Sequence, residues 1–293
     1  MGIIPLIKFI LSHPLNKKYK IEALFRFVKW QINTRLNPHP VLYPITNKAK
    51  LLIQRGMTGA TGNIYCGLHD FNEMGFVLHF LQPGDLFIDA GANIGSYSIL
   101  AAAHAGANVV AFEPAPDTYS HLEQNILVNK IQDKIWSYNI ALGSVQGEVF
   151  FSKNHDTANH VLNGTDEKGI KVKLEKLDNF SEKFIHPMLL KIDVEGYETE
   201  VLNGAAGLLS NDNLKAIIIE LNGSGNIYGY NESEIHKKLI SQGFYCYQYH
   251  PFERKLLQLD KYGTINTIYI RDVDFITGRL NEANKVEILG NKF

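Results

Sequence analysis

The chain has 293 residues, 45% hydrophobic and 20% charged, enough for one large α/β domain with an appendage. Its 29 Lys and Arg are balanced by 30 Asp and Glu, so there is no overall basic field to hold a nucleic acid. No stretch reaches the ~18–20 apolar residues that cross a bilayer, and the two cysteines, Cys66 and Cys246, make neither a disulfide framework nor a zinc spacing.

In chain order, residues 1–12 are apolar but interrupted by Pro5 and Lys8, with no small-residue cleavage site after them. The expectation is therefore no signal peptide, reduced thiols and a cytoplasmic protein. Residues 1–36 carry Lys8, Lys17, Lys18, Lys20, Arg26, Lys29 and Arg35 against Glu22 alone. Ile21, Leu24, Phe25, Val28 and Ile32 recur at helical spacing, which predicts an amphipathic helix over residues 19–35. Two readings stay open. The helix packs on the main domain and leaves a solvated basic face, or that face meets an anionic surface at the inner membrane or a lipid-linked substrate. Asn37-Pro38-His39-Pro40 ends the helix. Residues 41–45 and 50–54 read as short strands, and Gly56, Gly59 and Gly62 as a flexible turn. A helix over residues 68–82 is stopped by Pro83-Gly84.

A βαβ series follows. Leu86-Phe87-Ile88 is a buried strand closed by Asp89, and Gly91 and Gly95 frame a tight turn into a helix. Val109–Phe112 is a second strand ending in Glu113-Pro114, and Pro116 starts a helix to about Asn129. A third strand spans residues 134–139, with Ala141 at its end. Residues 148–152 and 172–177 are β-like extensions of the sheet. A fourth strand, Met188–Ile192, ends in Asp193, and a helix runs on to about Leu209. The fifth, residues 216–221, closes with Glu220 and Asn222. A helix over 232–242 precedes the last two strands, 244–249 and 267–270, the final one inserted antiparallel. Residues 271–293 read as a polar, irregular tail.

Strand, glycine turn and helix form the first half of a doubly wound nucleotide site. A dinucleotide site reads G-x-G-x-x-G, whereas here the order is Asp89-x-Gly91-x-Asn93-x-Gly95. A carboxylate aimed at the loop repels a pyrophosphate and suits a ligand with an ammonium, hydroxyls and no phosphate, such as S-adenosylmethionine. Asp89 and the loop Gly91, Ala92, Asn93 and Gly95 are the candidates for the methionine part. Glu113, with Pro114 after it, lies about 20 residues further on, where a carboxylate takes ribose hydroxyls. Asn139 and Ala141 would lie by the adenine.

The stretch D-x-G-x-N-x-G looks like the first motif of class I methyltransferases. Together with Phe112-Glu113-Pro114, residues 190–198 (Leu-Lys-Ile-Asp-Val-Glu-Gly-Tyr-Glu) and Ile217–Leu221, the chain resembles the FkbM family of methyltransferases. The resemblance covers roughly residues 80–222. It implies a Rossmann-like α/β fold, a mostly parallel seven-stranded sheet with helices on both faces. It also implies O-methylation of a sugar, glycan or related metabolite. The expected division is a basic helical extension over 1–66, a methyltransferase domain over 67–275 and a tail over 276–293.

Removing a proton from an alcohol calls for a base. Asp193 is the first candidate, Glu195 the second unless it caps the next helix, and His160 the third. Asp193, Glu220 and Asn222 could offer oxygens to Mg²⁺, although no dense Asp cluster argues for it. A Gly- and Tyr-rich loop, 222–230, suits the acceptor side. Two other classes compete. An oxidoreductase is disfavoured by the missing G-x-G-x-x-G, and a non-catalytic cofactor-binding module by Asp193 and Glu195. No Asn/Asp-Pro-Pro-Tyr string for base amines occurs.

Overall fold

A computed structural model of the chain describes residues 2–152, 160–162, 169–263 and 265–293. Helices α1 (Ile3–Ser12) and α2 (Lys20–Leu36) lead into the hairpin β1 (Val41–Pro44) and β2 (Lys50–Ile53). Helices α3 (Thr58–Cys66) and α4 (Phe71–Phe80) precede β3 (Leu86–Ala90). The short helix α5 (Ser96–Ile99) runs on as a π-turn through Ala105. Then come β4 (Asn108–Phe112), α6 (Pro116–Asn129), β5 (Ile135–Tyr138), β6 (Ala141–Leu142), β7 (Gly147–Phe151) and β8 (Ile170–Glu175). Strand β9 (Pro187–Ile192) is followed by α7 (Glu198–Asn203), α8 (Ala206–Leu209), β10 (Ala216–Glu220) and α9 (Glu232–Ser241). The chain closes with β11 (Tyr245–His250), β12 (Lys255–Gln258), β13 (Asn266–Ile270), α10 (Val273–Glu282), β14 (Glu287–Ile288) and β15 (Asn291–Lys292).

The main sheet has the order β12-β11-β13-β10-β9-β3-β4-β5. Strands β5, β4, β3, β9 and β10 are parallel, and β13 is inserted antiparallel beside β10. Seven of these strands follow the expected arrangement. The eighth, β12, is an edge hairpin on β11. Alternate residues of the parallel strands sort onto two apolar layers, as strands covered on both faces require. Phe87, Val109, Leu189 and Ile218 face one layer, and Ile88, Val110, Leu190 and Ile217 the other.

Several expectations are corrected by packing. Residues 3–12 add a helix to the expected helical extension, with Pro5 in its first turn, where a missing N–H costs nothing. Gly59 and Gly62 lie within α3 and not in a flexible turn. A Cβ on Gly62 would fall 2.1 Å from the His69 ring, so the close approach of that ring selects glycine. Helix α2 is present, but it buries Ala23, Phe27 and Trp30 and turns Ile21, Phe25, Val28 and Ile32 outward. Residues 148–151 and 170–175 do not extend the main sheet. With β6 they make a separate three-stranded sheet over its own apolar cluster.

The C-terminal residues are not an irregular tail. Ile276, Leu280, Val286, Ile288 and Phe293 are buried in the same layer as Ile10, Leu15 and Phe27. Phe293 packs edge-on against Phe71 at 5.2 Å, and Arg279 pairs with Asp85 at the entry to β3. Asn291 donates to the Leu15 carbonyl at 2.9 Å, so the two chain ends share one core. A fully buried apolar side chain contributes ~1.5–3 kcal/mol, which repays ordering these short elements. No helix among the described residues is long and apolar enough to cross a membrane.

Candidate active site

The parallel strands end in polar residues along one edge, and their loops interlock there. The N–H groups of Gly91 and Ala92 donate to the Phe112 carbonyl at 3.0 and 2.9 Å, folding the β3 loop over the end of β4. The Asp193 N–H donates to Ala90 at 3.0 Å, tying β9 to β3. Gly91 has φ +83°, and a Cβ there would stand 1.8 Å from the Asp193 carbonyl oxygen. Only glycine lets the two strand ends come this close.

Glu113 fixes the loop. Its Oε2 accepts the Asn93 N–H and its Oε1 the Ala115 N–H, each at 2.9 Å. Asn93 adopts the left-handed φ of 52° that this contact needs and caps itself by accepting the Ile94 N–H. Burial pushes the Glu113 carboxyl up to about 7, against the pull of the two N–H groups. Asn139 donates to the carbonyls of Glu113 and Pro114 at 2.8 and 3.0 Å, so its amide is spent on the loop. Ala141 is buried in β6 of the small sheet, and not at the end of β5.

At the centre lies a group the sequence reading passed over. Lys191 is 3% exposed, and its Nζ donates to Asp193 Oδ2 at 2.8 Å and lies 4.9 Å from the centre of the Tyr97 ring. Burial works against its charge, but Asp193 and Asp89 outweigh burial and hold the ammonium protonated. Asp89, 1% exposed, accepts from the Ser98 hydroxyl at 2.6 Å through Oδ2, while Oδ1 has no partner among the described residues. Burial raises its pKa. Behind the lysine, Tyr97 Oη donates to Asp70 at 3.0 Å.

Asp193 is part-exposed, its side chain 33% open to solvent. One oxygen each from Asp193, Glu195 and Glu220 lies within 4.8 Å of the others. Such crowding favours protonation. Burial, with Asp193 next, pushes Glu195 up to about 7 and Glu220 up to about 8. Oε2 of Glu220 is buried and has no partner among the described residues. These three oxygens could hold a cation, with Glu195 where Asn222 was expected. The Asn222 side-chain Oδ1 instead accepts the Ser224 N–H at 2.8 Å. Glu195 does not cap a helix. It sits at φ 54°, and Glu198 does the bracing by accepting the N–H groups of Val194 and Gly196 at 3.2 and 3.1 Å.

An aromatic wall flanks the carboxylates. Tyr197 meets Tyr228 edge-on at 5.3 Å, and Tyr230 lies 5.9 Å beyond. Gly196, at φ +101°, packs on the Ser224 backbone and joins this loop to the cluster. Tyr228 Oη donates to the Val161 carbonyl at 2.6 Å, which sets the segment around His160 beside the wall. The His160 backbone pairs with Ser152. The other residues around His160, 153–159, lie outside the described residues.

Replacing Glu113 by Ala leaves the Asn93 and Ala115 N–H groups without acceptors, at a cost of about 1–3 kcal/mol for each buried group. We expect Glu113→Ala to remain folded, melt at a lower temperature and exchange its residue 93 and 115 amides faster. Unchanged exchange at both amides would show that the loop is held by other contacts.

The methyltransferase FkbM domain family matches residues 89–246. The chain is 28% identical over 205 residues to the hexuronic acid methyltransferase AglP of Haloferax volcanii, covering 69% of this chain and 74% of that one. It is 39% identical over 56 residues to the 31-O-demethyl-FK506 methyltransferase FkbM of Streptomyces tacrolimicus, 19% of this chain and 22% of that one. Among solved structures, the precorrin-6y C5,15-methyltransferase of Geobacter metallireducens aligns with a TM-score of 0.41 at 11% identity, covering 78% of this chain and 98% of that one. The matched region spans more than half of the chain and includes both the glycine loop and the Asp193 strand end, and on that ground the chain belongs to the FkbM family of methyltransferases.

Proposed function

We propose that the protein is an S-adenosylmethionine-dependent O-methyltransferase acting on a hydroxyl of a sugar, glycan or related metabolite. The observation that carries this reading is the strand edge, where Asp89, Asp193, Glu195 and Glu220 gather near one buried ammonium beside the Gly91–Gly95 loop. Excess negative charge suits a ligand that carries a sulfonium and an ammonium and no phosphate. The unpartnered Asp89 Oδ1 fits such a ligand. Asp89 and residues 91–95 would hold its methionine part. Glu113 would take the ribose hydroxyls, since each oxygen accepts one N–H and has a lone pair left.

When bound, the cofactor supplies a methyl group on a sulfonium, open to in-line displacement by an oxygen. The chain's own residues align the acceptor and take its proton. We assign the proton to Asp193, which Lys191 holds through Oδ2 and whose side chain is part-exposed. Glu195, held near neutrality, is the second acceptor for that proton. His160 stands third, on the side of the tyrosine wall. Tyrosine rings beside carboxylates suit the ring faces and hydroxyls of a sugar. The relatives named for a hexuronic acid and for 31-O-demethyl-FK506 support an oxygen-rich acceptor. Lys191 and the acid cluster give a nucleic-acid backbone little to bind.

The Asp193→Asn variant keeps size and hydrogen bonding but takes up no proton. Turnover should fall by ~10²–10⁴ with adenosylmethionine affinity within a few-fold of wild type. Normal turnover in this variant, with a loss in Glu195→Gln, would move the base to Glu195. Loss of wild-type activity in EDTA, restored by Mg²⁺, would instead make Asp193, Glu195 and Glu220 cation ligands.

A second expectation concerns pH. Glu195 and Glu220 carry raised pKa values, so raising pH from about 7 to about 8 ionises them in the free protein. Ionised carboxylates attract a sulfonium. Affinity for adenosylmethionine should therefore rise through that window relative to adenosylhomocysteine, which has the same amino group and no sulfonium charge. Calorimetry at several pH values measures the ratio, and a ratio independent of pH would place the sulfonium away from these acids.

A further inference from the structure

Helix α2 docks on the protein with one apolar face and shows a second to the outside. Ala23, Phe27 and Trp30 are buried, whereas Ile21 is 81% exposed, Phe25 66% and Leu36 80%, with Val28 and Ile32 between them also exposed. At ~100° per residue these five positions fall within roughly an 80° arc, opposite the buried face. Ile3 and Ile4 of α1, which packs against α2, are exposed as well. Scattered exposed apolar residues need no explanation, but a continuous stripe on one helix does.

The charges around the stripe indicate its partner. Seven of the 29 basic residues lie in residues 1–36, with one of the 30 acidic ones, so the acid excess belongs to the rest of the chain. Arg26 is turned inward and donates to Asn16 and the Tyr65 carbonyl. Lys8, Lys17, Lys18, Lys20, Lys29 and Arg35 remain exposed. On the helical count, Lys29 and Arg35 border the stripe on either side. Apolar side chains flanked by cations are what a helix lying in an anionic bilayer surface needs. A second copy of this chain would bring the same cations against each other. We infer that the outer face of α2, with the exposed turn of α1, seats the protein on an anionic lipid surface. This inference stands apart from the identity of the methyl acceptor.

The fold holds α2 to the core through groups other than the stripe. Asn16 Nδ2 donates to the Ile10 and Tyr65 carbonyls at 2.9 and 3.1 Å, and Gln31 donates to Tyr65 Oη at 2.9 Å. Outward substitutions therefore leave the packing intact.

The test is flotation of the full chain with phosphatidylcholine vesicles, with and without phosphatidylglycerol. The protein should float with the anionic vesicles only, less so as salt shortens the screening length to below ~8–10 Å. Phe25→Ser with Ile32→Ser should weaken binding at least tenfold, and so should Lys17→Glu with Lys29→Glu, each with an unchanged melting temperature and unchanged adenosylmethionine affinity. No flotation with anionic vesicles at low salt would overturn the inference. So would a dimer in light scattering that Phe25→Ser with Ile32→Ser converts to a monomer.

Discussion

A single buried ammonium holds together a strand edge that otherwise carries acid. Lys191 lies at the end of a central parallel strand, where water is excluded and an unpaired charge would cost several kcal/mol. It is tolerated because Asp193 and Asp89 answer it, and they can stand so close to each other because it is there. The strand ends β3 and β9 are tied by their backbone ladder, and Gly91 gives up a side chain to let the Asp193 carbonyl in. The acid cluster gathers around Lys191, while Glu113 holds the glycine loop beside it.

Glu195 and Glu220 feel the Lys191 charge but form no ion pair among the described residues. Glu195 and Glu220 meet Asp193 at one point and respond by keeping protons to higher pH. If a sulfonium binds here as proposed, its charge favours their ionised forms, and its binding is linked to proton release. On the proposed function, the same acids would draw in a cationic cofactor and receive the proton of an acceptor hydroxyl. Glu113, raised likewise by burial, is tied to the loop through its two N–H bonds.

The central sheet was legible in the sequence because fully buried parallel strands read as short apolar runs closed by a polar residue. Asp89, Glu113, Asp193 and Glu220 were each found at such ends. The direction of α2 was not legible, because the helix is apolar on two faces and spacing alone does not choose between Phe25 and Phe27. The C-terminal elements were missed because Ile276, Leu280, Val286, Ile288 and Phe293 are spread through polar sequence, and only the distant Phe71 and Leu15 complete their core. Lys191 was hidden inside a motif whose acids drew attention, although a lysine in an otherwise apolar strand is itself a signal. Glu195 and Glu198 are both near the start of a helix, and only the backbone shows that Glu198 braces the turn.

The central claim is that the acidic strand edge is where a methyl group changes hands. A crystal structure of the protein with S-adenosylhomocysteine tests it most directly. The account predicts ribose hydroxyls on Glu113 and a sulfur facing the opening between Asp193, Glu195 and Glu220. A ligand seated away from residues 89–95, or a sulfur turned from those three acids, would contradict it.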